Sequence, residues 1–536
     1  MGAQLSTLFY TVKALVTQYN AFSKRISQSP GIPRLNASVP FWTIPNAPIA
    51  RHGEDKELPT YADVIIIGSG ISGTSIAQAL LEHDAKEAGS DSESESCELA
   101  PPPLKIVMLE ARDACSGATG RNGGHACPNV YNEYSQLKED HGAKAALEIL
   151  RFRLAHIDAL IKAAKDENVL EASQARVVDD YDAFMHPNMF ASAQQELEKF
   201  LKEVPKDLAQ GFEVIRERKS LDELQLASSI LGCIVKPGAS IHPYRFVTGI
   251  LSSLLARHPN FDLYTRTPCS DIRTIDGVYS VKTPRGEIRA LHVIHATNAW
   301  SSHLLPGMRR KIIPVRAHMS AQRPGQGLMP TASPCDPPNT PLPPRTWVGT
   351  RAFVFYPTDK DYAYDYLTQL RPSRPSNPLP SAGELMYGGG AVLGGKSEDA
   401  LLDNIGVSDD SGTDFVVEAY LAGSLERYFA DQWGAEGNEA DTEAGSPPPP
   451  ARGWGKGRLK AVWTGIIGMS ADFQPWVGRV PKAVSGRKEP DPSLSLMKEL
   501  SNDDKKGVDS FAKHHLAPPG EWISAGFTEK GWYTLG

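Results

Sequence analysis

The chain has 536 residues, 41% of them hydrophobic and 22% charged, with a formal net charge of −7 and a pI near 6.1. That length is enough for two joined domains plus insertions, and the acidic balance lacks the basic face that a nucleic-acid partner needs. No apolar run approaches the ~18–20 residues of a spanning helix, and the six cysteines contain no CxxC pair. They therefore offer neither a disulfide framework nor a zinc site, and they fit a reducing, cytoplasmic compartment.

The first residues, MGAQLS, match an acylation pattern with Gly2 as acceptor and Ser6 as the hydroxyl. Leu5, Leu8, Phe9, Val12, Leu15, Val16, Tyr19 and Phe22 then recur at helical spacing, with Lys13, Lys24 and Arg25 adding positive charge. Two readings follow: association with a membrane surface through an acyl chain and a basic helix, or a helix packed on the protein's own surface. The pattern does not resemble a cleaved secretory signal. Residues 31–60 are Pro-rich and read as an extended arm, so residues 1–60 form a helix and arm ahead of the main domain.

Val64–Ile67 is a β-branched run suited to a buried parallel strand. Gly68-Ser69-Gly70-Ile71-Ser72-Gly73 follows at once, then a helical pattern from about Ile71 to Leu81. A second strand, Lys105–Leu109, ends at Glu110. This is a βαβ unit with Gly-x-Gly-x-x-Gly at its first turn. Gly68 permits the turn, Gly70 admits a pyrophosphate close to the backbone, and Gly73 lets helix and strand pack. The helix start offers amides and partial positive charge to an anion, and Glu110 can accept from ribose hydroxyls. Glu110 follows Gly68 by 42 positions, where ~20 is usual. The excess is residues 83–103, an acidic, Ser- and Pro-rich stretch expected to be a disordered surface loop.

After Glu110 come Ala111-Arg112 and then Ser116-Gly117-Ala118-Thr119-Gly120-Arg121-Asn122-Gly123-Gly124-His125. Here the chain resembles the D-amino-acid oxidase superfamily of FAD oxidoreductases, in particular its glycine, sarcosine and gamma-glutamylputrescine oxidase branch. In that family such a loop runs beside the pyrophosphate and flavin. The resemblance implies FAD as cofactor, with small residues exposing backbone amides and Arg121 supplying charge.

Further along, an amphipathic helix is predicted over 143–166, and Pro243 opens another after His242. Antiparallel strands are expected between about 271 and 295. Ala296-Thr297, Ile312–His318, Leu385–Gly390 and Trp463–Gly468 with Asp472 each resemble a family segment. The likeness spans about 61–531. It implies an α/β fold: a Rossmann-like FAD-binding domain with an interleaved antiparallel-sheet substrate domain. The FAD-binding parts would be about 61–180, 235–300 and 460–531, and the substrate part 181–234 and 301–430. Residues 435–457 and 482–518 read as low-complexity surface inserts. Near the chain end, Gly526-Phe527 resembles the start of a Gly-rich turn that relatives follow with a helix. Here the turn lacks one glycine and only five residues follow Gly531.

The family's reaction is hydride transfer from an amine-bearing carbon to flavin, with oxygen usually reoxidising it, so a small amine or amino acid and oxygen are the implied partners. Relatives hold a substrate carboxylate with Arg and Tyr, for which Arg316, Arg351, Tyr356 and Tyr364 are candidates. His125 and His318 flank segments expected near the flavin and are candidates for redox tuning. Beyond the glycine turn and loop, Gly468, Gly526 and Phe527 complete the expected cofactor set. No motif supports a covalent flavin link through Cys127, and no metal site is indicated. A flavin-binding protein without turnover, or a membrane-associated dehydrogenase, remain the alternatives.

Overall fold

The computed structural model describes residues 2–90, 103–329, 351–371, 383–395, 400–436, 457–490 and 517–528. Helix α1 (Gly2–Ser27) opens the chain. Val16 and Tyr19 of its apolar stripe face solvent, 52% and 65% exposed, and Phe22 is half-buried. Its last turn is anchored: the Arg25 guanidinium donates to the carbonyls of Ile405 (2.6 Å) and Leu402.

Strand β1 (Tyr61–Ile67) is buried at every position. Seven consecutive buried residues with no alternation belong to a parallel sheet covered on both faces. It pairs in parallel with β2 (Ile106–Leu109) on one side and with the strand Gly286–His295 on the other. Between β1 and β2 lies α2 (Ile71–Ser90). This helix runs nine residues past Leu81 and takes in the start of the 83–103 segment, which was expected to be loop. His83–Ser90 holds no proline and only one glycine, so nothing stops the helix there. Residues 91–102 lie outside the described residues.

The first sheet has eight strands. Beyond Gly286–His295 it adds Gly520–Ala525 in parallel and Trp476–Arg479 in antiparallel at the edge. A hairpin, Asp271–Ile275 with Val278–Thr283, pairs antiparallel with the first half of Gly286–His295, and Phe261–Tyr264 forms the other edge beside β2. The hairpin's turn residues Asp276 and Gly277 both take positive φ (49° and 80°), as a two-residue turn matched to strand twist requires.

The second sheet has nine strands and is mostly antiparallel. It includes β3 (His125–Ala126), β4 (Arg176–Phe184), β5 (Glu213–Ile215) and β6 (Gly232–Ser240). Leu459–Ser470 pairs with Ile312–Gln322 in this sheet, although residues 460–531 were expected with the FAD-binding part. Helix α3 (Tyr131–Asp166) lies beside it and is two helices merged across Gly142, where φ is 83°. Its second half is the helix predicted over 143–166. The turn before it, from Tyr131, was not legible in the apolar pattern.

The N-terminal arm is a structural member of the core. Trp42, 1% exposed, donates from its indole N–H to the Asn122 carbonyl at 2.5 Å. A Cβ on Gly124 would lie 3.2 Å from the Trp42 ring. Truncating this ring would open a cavity against the Gly-rich loop. Trp42→Ala should therefore lose about 3–5 kcal/mol of stability, measured by urea unfolding. A loss under about 1 kcal/mol would mean that the arm is not packed as described.

Candidate functional site

The site begins at the glycine turn after β1. Gly68 has φ +112°, and a Cβ there would sit 2.4 Å from the Ala296 carbonyl oxygen. A Cβ on Gly73 would come within 2.0 Å of the Gly68 carbonyl oxygen. Only glycine lets the turn and the start of α2 approach the neighbouring strand this closely. Glu110 braces the turn from the end of β2. Its Oε2 accepts from the Ser69 amide (3.1 Å) and hydroxyl (2.6 Å), and its Oε1 from the Arg112 amide (2.9 Å).

Beside the turn opens a cavity of about 980 Å³. It starts at the carboxyl ends of the parallel strands, where Ile67, Gly68, Leu109, Glu110, Ala296 and Thr297 line it. Ligands in open α/β sheets lie in this crevice. Of the expected cofactor residues, Gly70, Ile71, Ser72, Ala111, Arg112, Gly117, Ala118, Thr119, Arg121, Asn122, Gly123 and Phe527 also line it. Ser69, Gly73, Gly120, Gly124, Gly468 and Gly526 do not. Ser69 is occupied by Glu110, and Gly73 lies under Gly68. Gly468 and Gly526 pack on Asn298, whose Oδ1 accepts from the Gly526 amide at 3.1 Å. Segment 529–536, where the chain departs from the family pattern, lies outside the described residues.

Two expectations about donors are corrected. The first amide of α2, on Ile71, already donates to the Thr119 hydroxyl at 3.0 Å. The guanidinium of Arg121, expected to supply charge to an anion, is spent on the protein. It donates to the carbonyls of Ser116 (2.8 Å), Thr464 (2.7 Å) and Ser38 (2.8 Å). Arg112 behaves alike: it pairs with Asp410 at 2.7 Å and donates to the Ser116 carbonyl at 3.1 Å. Asp410 also lies 3.7 Å from Arg121.

The other end of the cavity meets the face of the second sheet. Phe184, Lys236, Val354, Tyr356, Tyr364 and Tyr366 line it there. Arg316 and Arg351 do not. Arg316 donates to Asn404 at 3.1 Å, and Arg351 is buried elsewhere, bonded to Gln225, to Gln369 and to the Leu328 carbonyl. Neither is placed to hold a substrate carboxylate. Tyr356 and Tyr364 do reach the cavity: Phe184 and Tyr356 stack with centroids 5.2 Å apart, and Tyr364 lies tilted 6.1 Å from Tyr356.

His125 and His318 both line the cavity. The His318 imidazole is lowered to about 4 by burial and then by Arg316, so it is neutral near pH 7. Its Nε2 accepts from the Asp414 amide at 3.0 Å. His125 belongs to a buried ionic group. Its Nε2 lies 3.1 Å from Asp180, whose other oxygen is 3.2 Å from the Lys236 ammonium. Lys236 is also 2.5 Å from Asp182, and the Tyr131 hydroxyl donates to Asp182 at 2.7 Å. Asp180 and Asp182 are fully buried and Lys236 is 2% exposed. The strands explain the meeting, since Asp180 sits opposite Lys236 in the antiparallel pair of β4 and β6.

Burial raises Asp180, but Lys236 and His125 outweigh it and hold it at about 2. Burial, with Asp180 beside it, raises Asp182 against the pull of Lys236. Burial opposes the charge on Lys236, yet Asp182 and Asp180 keep the ammonium well above its ordinary value. Cys127 lies in the same group, and burial pushes its thiol well up, which disfavours the reactive thiolate. The donor atoms of His125, Cys127 and Asp180 lie within 4.8 Å of one another. The ammonium of Lys236 already supplies the positive charge a metal ion would bring.

Asp180, Asp182, Lys236, Arg153 and His156 were not among the expected site residues. The signal available was a lone Lys in the apolar run of β6 and carboxylates two apart in β4. Period-two spacing puts both on one face, but not on which face.

The family model described as FAD dependent oxidoreductase (DAO) matches residues 63–494. The chain belongs to the DAO family of FAD-dependent oxidoreductases. A curated relative, the probable oxidoreductase OrdL of Haemophilus influenzae, is 24% identical over 270 residues, which is 49% of this chain and 56% of that protein. The chain thus spans little more than half the length of this curated relative. Solved structures share the fold. L-amino acid deaminase from Proteus vulgaris, lacking its specific insertion, matches with TM-score 0.54 and 13% identity over 92% of this chain and 91% of that one. Glycine oxidase from Geobacillus kaustophilus matches with TM-score 0.52 and 14% identity over 89% and 92%. L-proline dehydrogenase from P. horikoshii matches with TM-score 0.51 and 13% identity over 89% and 91%.

Two predictions test the buried ionic group of this DAO chain. Lys236→Met would leave two buried carboxylates without their counter-ion and should cost about 3–5 kcal/mol in urea unfolding. Asp180 is held at about 2, below its ordinary 3.8. A carboxyl depressed in the folded state contributes stability that is present above pH ~4 and lost as the pH falls toward ~2. Acid unfolding followed by circular dichroism should therefore show this loss in the unaltered chain and a flatter curve in Asp180→Asn. Identical curves would remove Asp180 from the ionic group.

Proposed function

We propose that the chain binds FAD in this cavity and oxidises a carbon–nitrogen bond of an amine or amino acid, with molecular oxygen as electron acceptor. The observation that carries the reading is the cavity itself, which runs from the glycine turn to the aromatic face of the second sheet. The residues present fit the cofactor. A Cβ on Gly117 would meet nothing within 4 Å, so the loop leaves room at its start. The buried indole N–H of Trp300, on the cavity wall, has no hydrogen-bond partner among the described residues. The names of the solved relatives, amino-acid deaminase and glycine oxidase, support the same class of chemistry.

Gly68, Gly70 and Ser72 at the start of α2 would hold the pyrophosphate. Glu110, with lone pairs beyond those used by Ser69 and Arg112, would accept from a ribose hydroxyl. The loop Gly117–Gly123 would run beside the ring system, with Ala296, Thr297 and Phe527 completing the wall. Bound there, FAD supplies a two-electron acceptor for the hydride on the carbon that bears the nitrogen. His125 accepts the proton that a substrate ammonium loses before oxidation, while Asp180 fixes its ring through Nε2. His318 stays neutral and donates from Nδ1, because Nε2 is taken by the Asp414 amide. Burial pushes the Tyr356 hydroxyl well up, so it remains protonated and walls the reacting carbon from water.

The purified chain should be yellow, with bands near ~370 and ~450 nm, and should release FAD on acid precipitation. It should then produce hydrogen peroxide with an amine or amino acid. A colourless chain that takes up no added FAD would sink the reading.

A further inference from the structure

The charge along the substrate half of the cavity sets what can enter it. Four arginine or lysine side chains line the cavity among the described residues, namely Arg112, Arg121, Arg153 and Lys236, and each is already engaged. Arg112 and Arg121 are tied to Asp410 and to backbone carbonyls, as above. Arg153 pairs with Glu133 at 2.8 Å and donates to the Asn129 carbonyl at 2.9 Å. Lys236 faces two carboxylates at once. Arg316 and Arg351, the arginines that a carboxylate clamp would have used, point elsewhere.

The acids are in the opposite position. Glu196, Asp359 and Asp361 line the same half, and none of them forms an ion pair among the described residues. Glu196 only accepts from the Ser135 hydroxyl at 2.5 Å. Asp359 and Asp361 are exposed at the mouth. Lys360, between them in the chain, lies over the Tyr362 ring with 5.9 Å to its centroid. From this mouth inward runs an aromatic wall of Tyr362, Tyr364, Tyr356 and Tyr366. Tyr364 and Tyr366 are 6.5 Å apart.

We infer that the substrate is a cationic amine carrying a second positive charge away from the oxidised carbon, such as an aliphatic diamine, and not an α-amino acid held by its carboxylate. The inference rests on the flavin reading of this cavity and names its substrate class. The physical grounds are three. A carboxylate brought into this half would be desolvated with no unengaged arginine or lysine to receive it. A second ammonium would be drawn by the unpaired acids of the mouth. Ring faces along its path stabilise a cation by about 0.5–2 kcal/mol. The solved relatives named for amino acids share the fold at 13–14% identity, which leaves the charges of the wall free to differ.

The test uses the flavin-loaded full chain, mixed without oxygen with 1,4-diaminobutane, 1-aminobutane and L-norvaline, and reads loss of the ~450 nm band. The diamine should reduce the flavin at a concentration about 5- to 10-fold below that needed for the monoamine, with norvaline weaker still. Raising the salt concentration should narrow the gap between diamine and monoamine, since the mouth is exposed. Asp361→Asn and Glu196→Gln should each raise the diamine concentration required by about 2- to 5-fold, and more than they raise it for the monoamine. Reduction by norvaline at lower concentration than by the diamine would overturn the inference and leave the flavin reading standing. Equal response to both amines would also overturn it. A flavin that dithionite bleaches but none of the three probes reduces would count against both.

Discussion

One buried carboxylate, Asp410, answers two guanidinium groups, Arg112 and Arg121. Removing Asp410 would leave two guanidinium groups in the interior without their counter-ion, which is far costlier than the group is worth as a net stabiliser. The requirement reaches well beyond these residues. Arg121 also takes the carbonyls of Ser38 in the N-terminal arm and Thr464 in the second sheet, and Ser38 donates its amide to the Asp410 carbonyl at 2.7 Å. Four distant stretches of chain therefore meet around one buried ionic knot. The loop that borders the cavity is held by that knot, so its backbone and not its arginine is left to face a ligand.

A second ionic group lies at the opposite end, where Lys236, Asp180, Asp182 and His125 sit between β4 and β6. The two groups differ in their remainder. At the first, two cations share one carboxylate beside the turn expected to meet phosphates. At the second, two carboxylates share one ammonium beside the tyrosine wall. Glu110 at the same turn offsets the surplus cation of the first group, so only the end at the tyrosine wall keeps a surplus of one sign.

The βαβ unit was legible because everything that makes it is local. A β-branched run, three glycines at fixed spacing and a carboxylate at the next strand end specify the turn without help from distant residues. The antiparallel strands expected from about residue 271 were legible for the same reason, since the Asp276–Gly277 turn between them is local. The end of α2 was misjudged because acidic, Ser-rich composition resembles loop, while His83–Ser90 contains nothing that breaks a helix. Arg121, Arg316 and Arg351 were misjudged for another reason. A guanidinium reaches far and binds any carbonyl or carboxylate within reach, so its partner depends on what the fold brings near it.

The amino-acid sequence by itself determined the family, the glycine turn, the parallel strands around it and the Gly-rich loop, because short-range backbone geometry sets each of these. Only the tertiary structure decided which charges meet. Lys236 lies more than fifty residues from Asp180 and Asp182, and Asp410 lies nearly three hundred from Arg112 and Arg121. Strand register and chain return bring them together, and burial then makes each partner obligatory. The character of the cavity wall is a sum over such meetings, which no local pattern encodes.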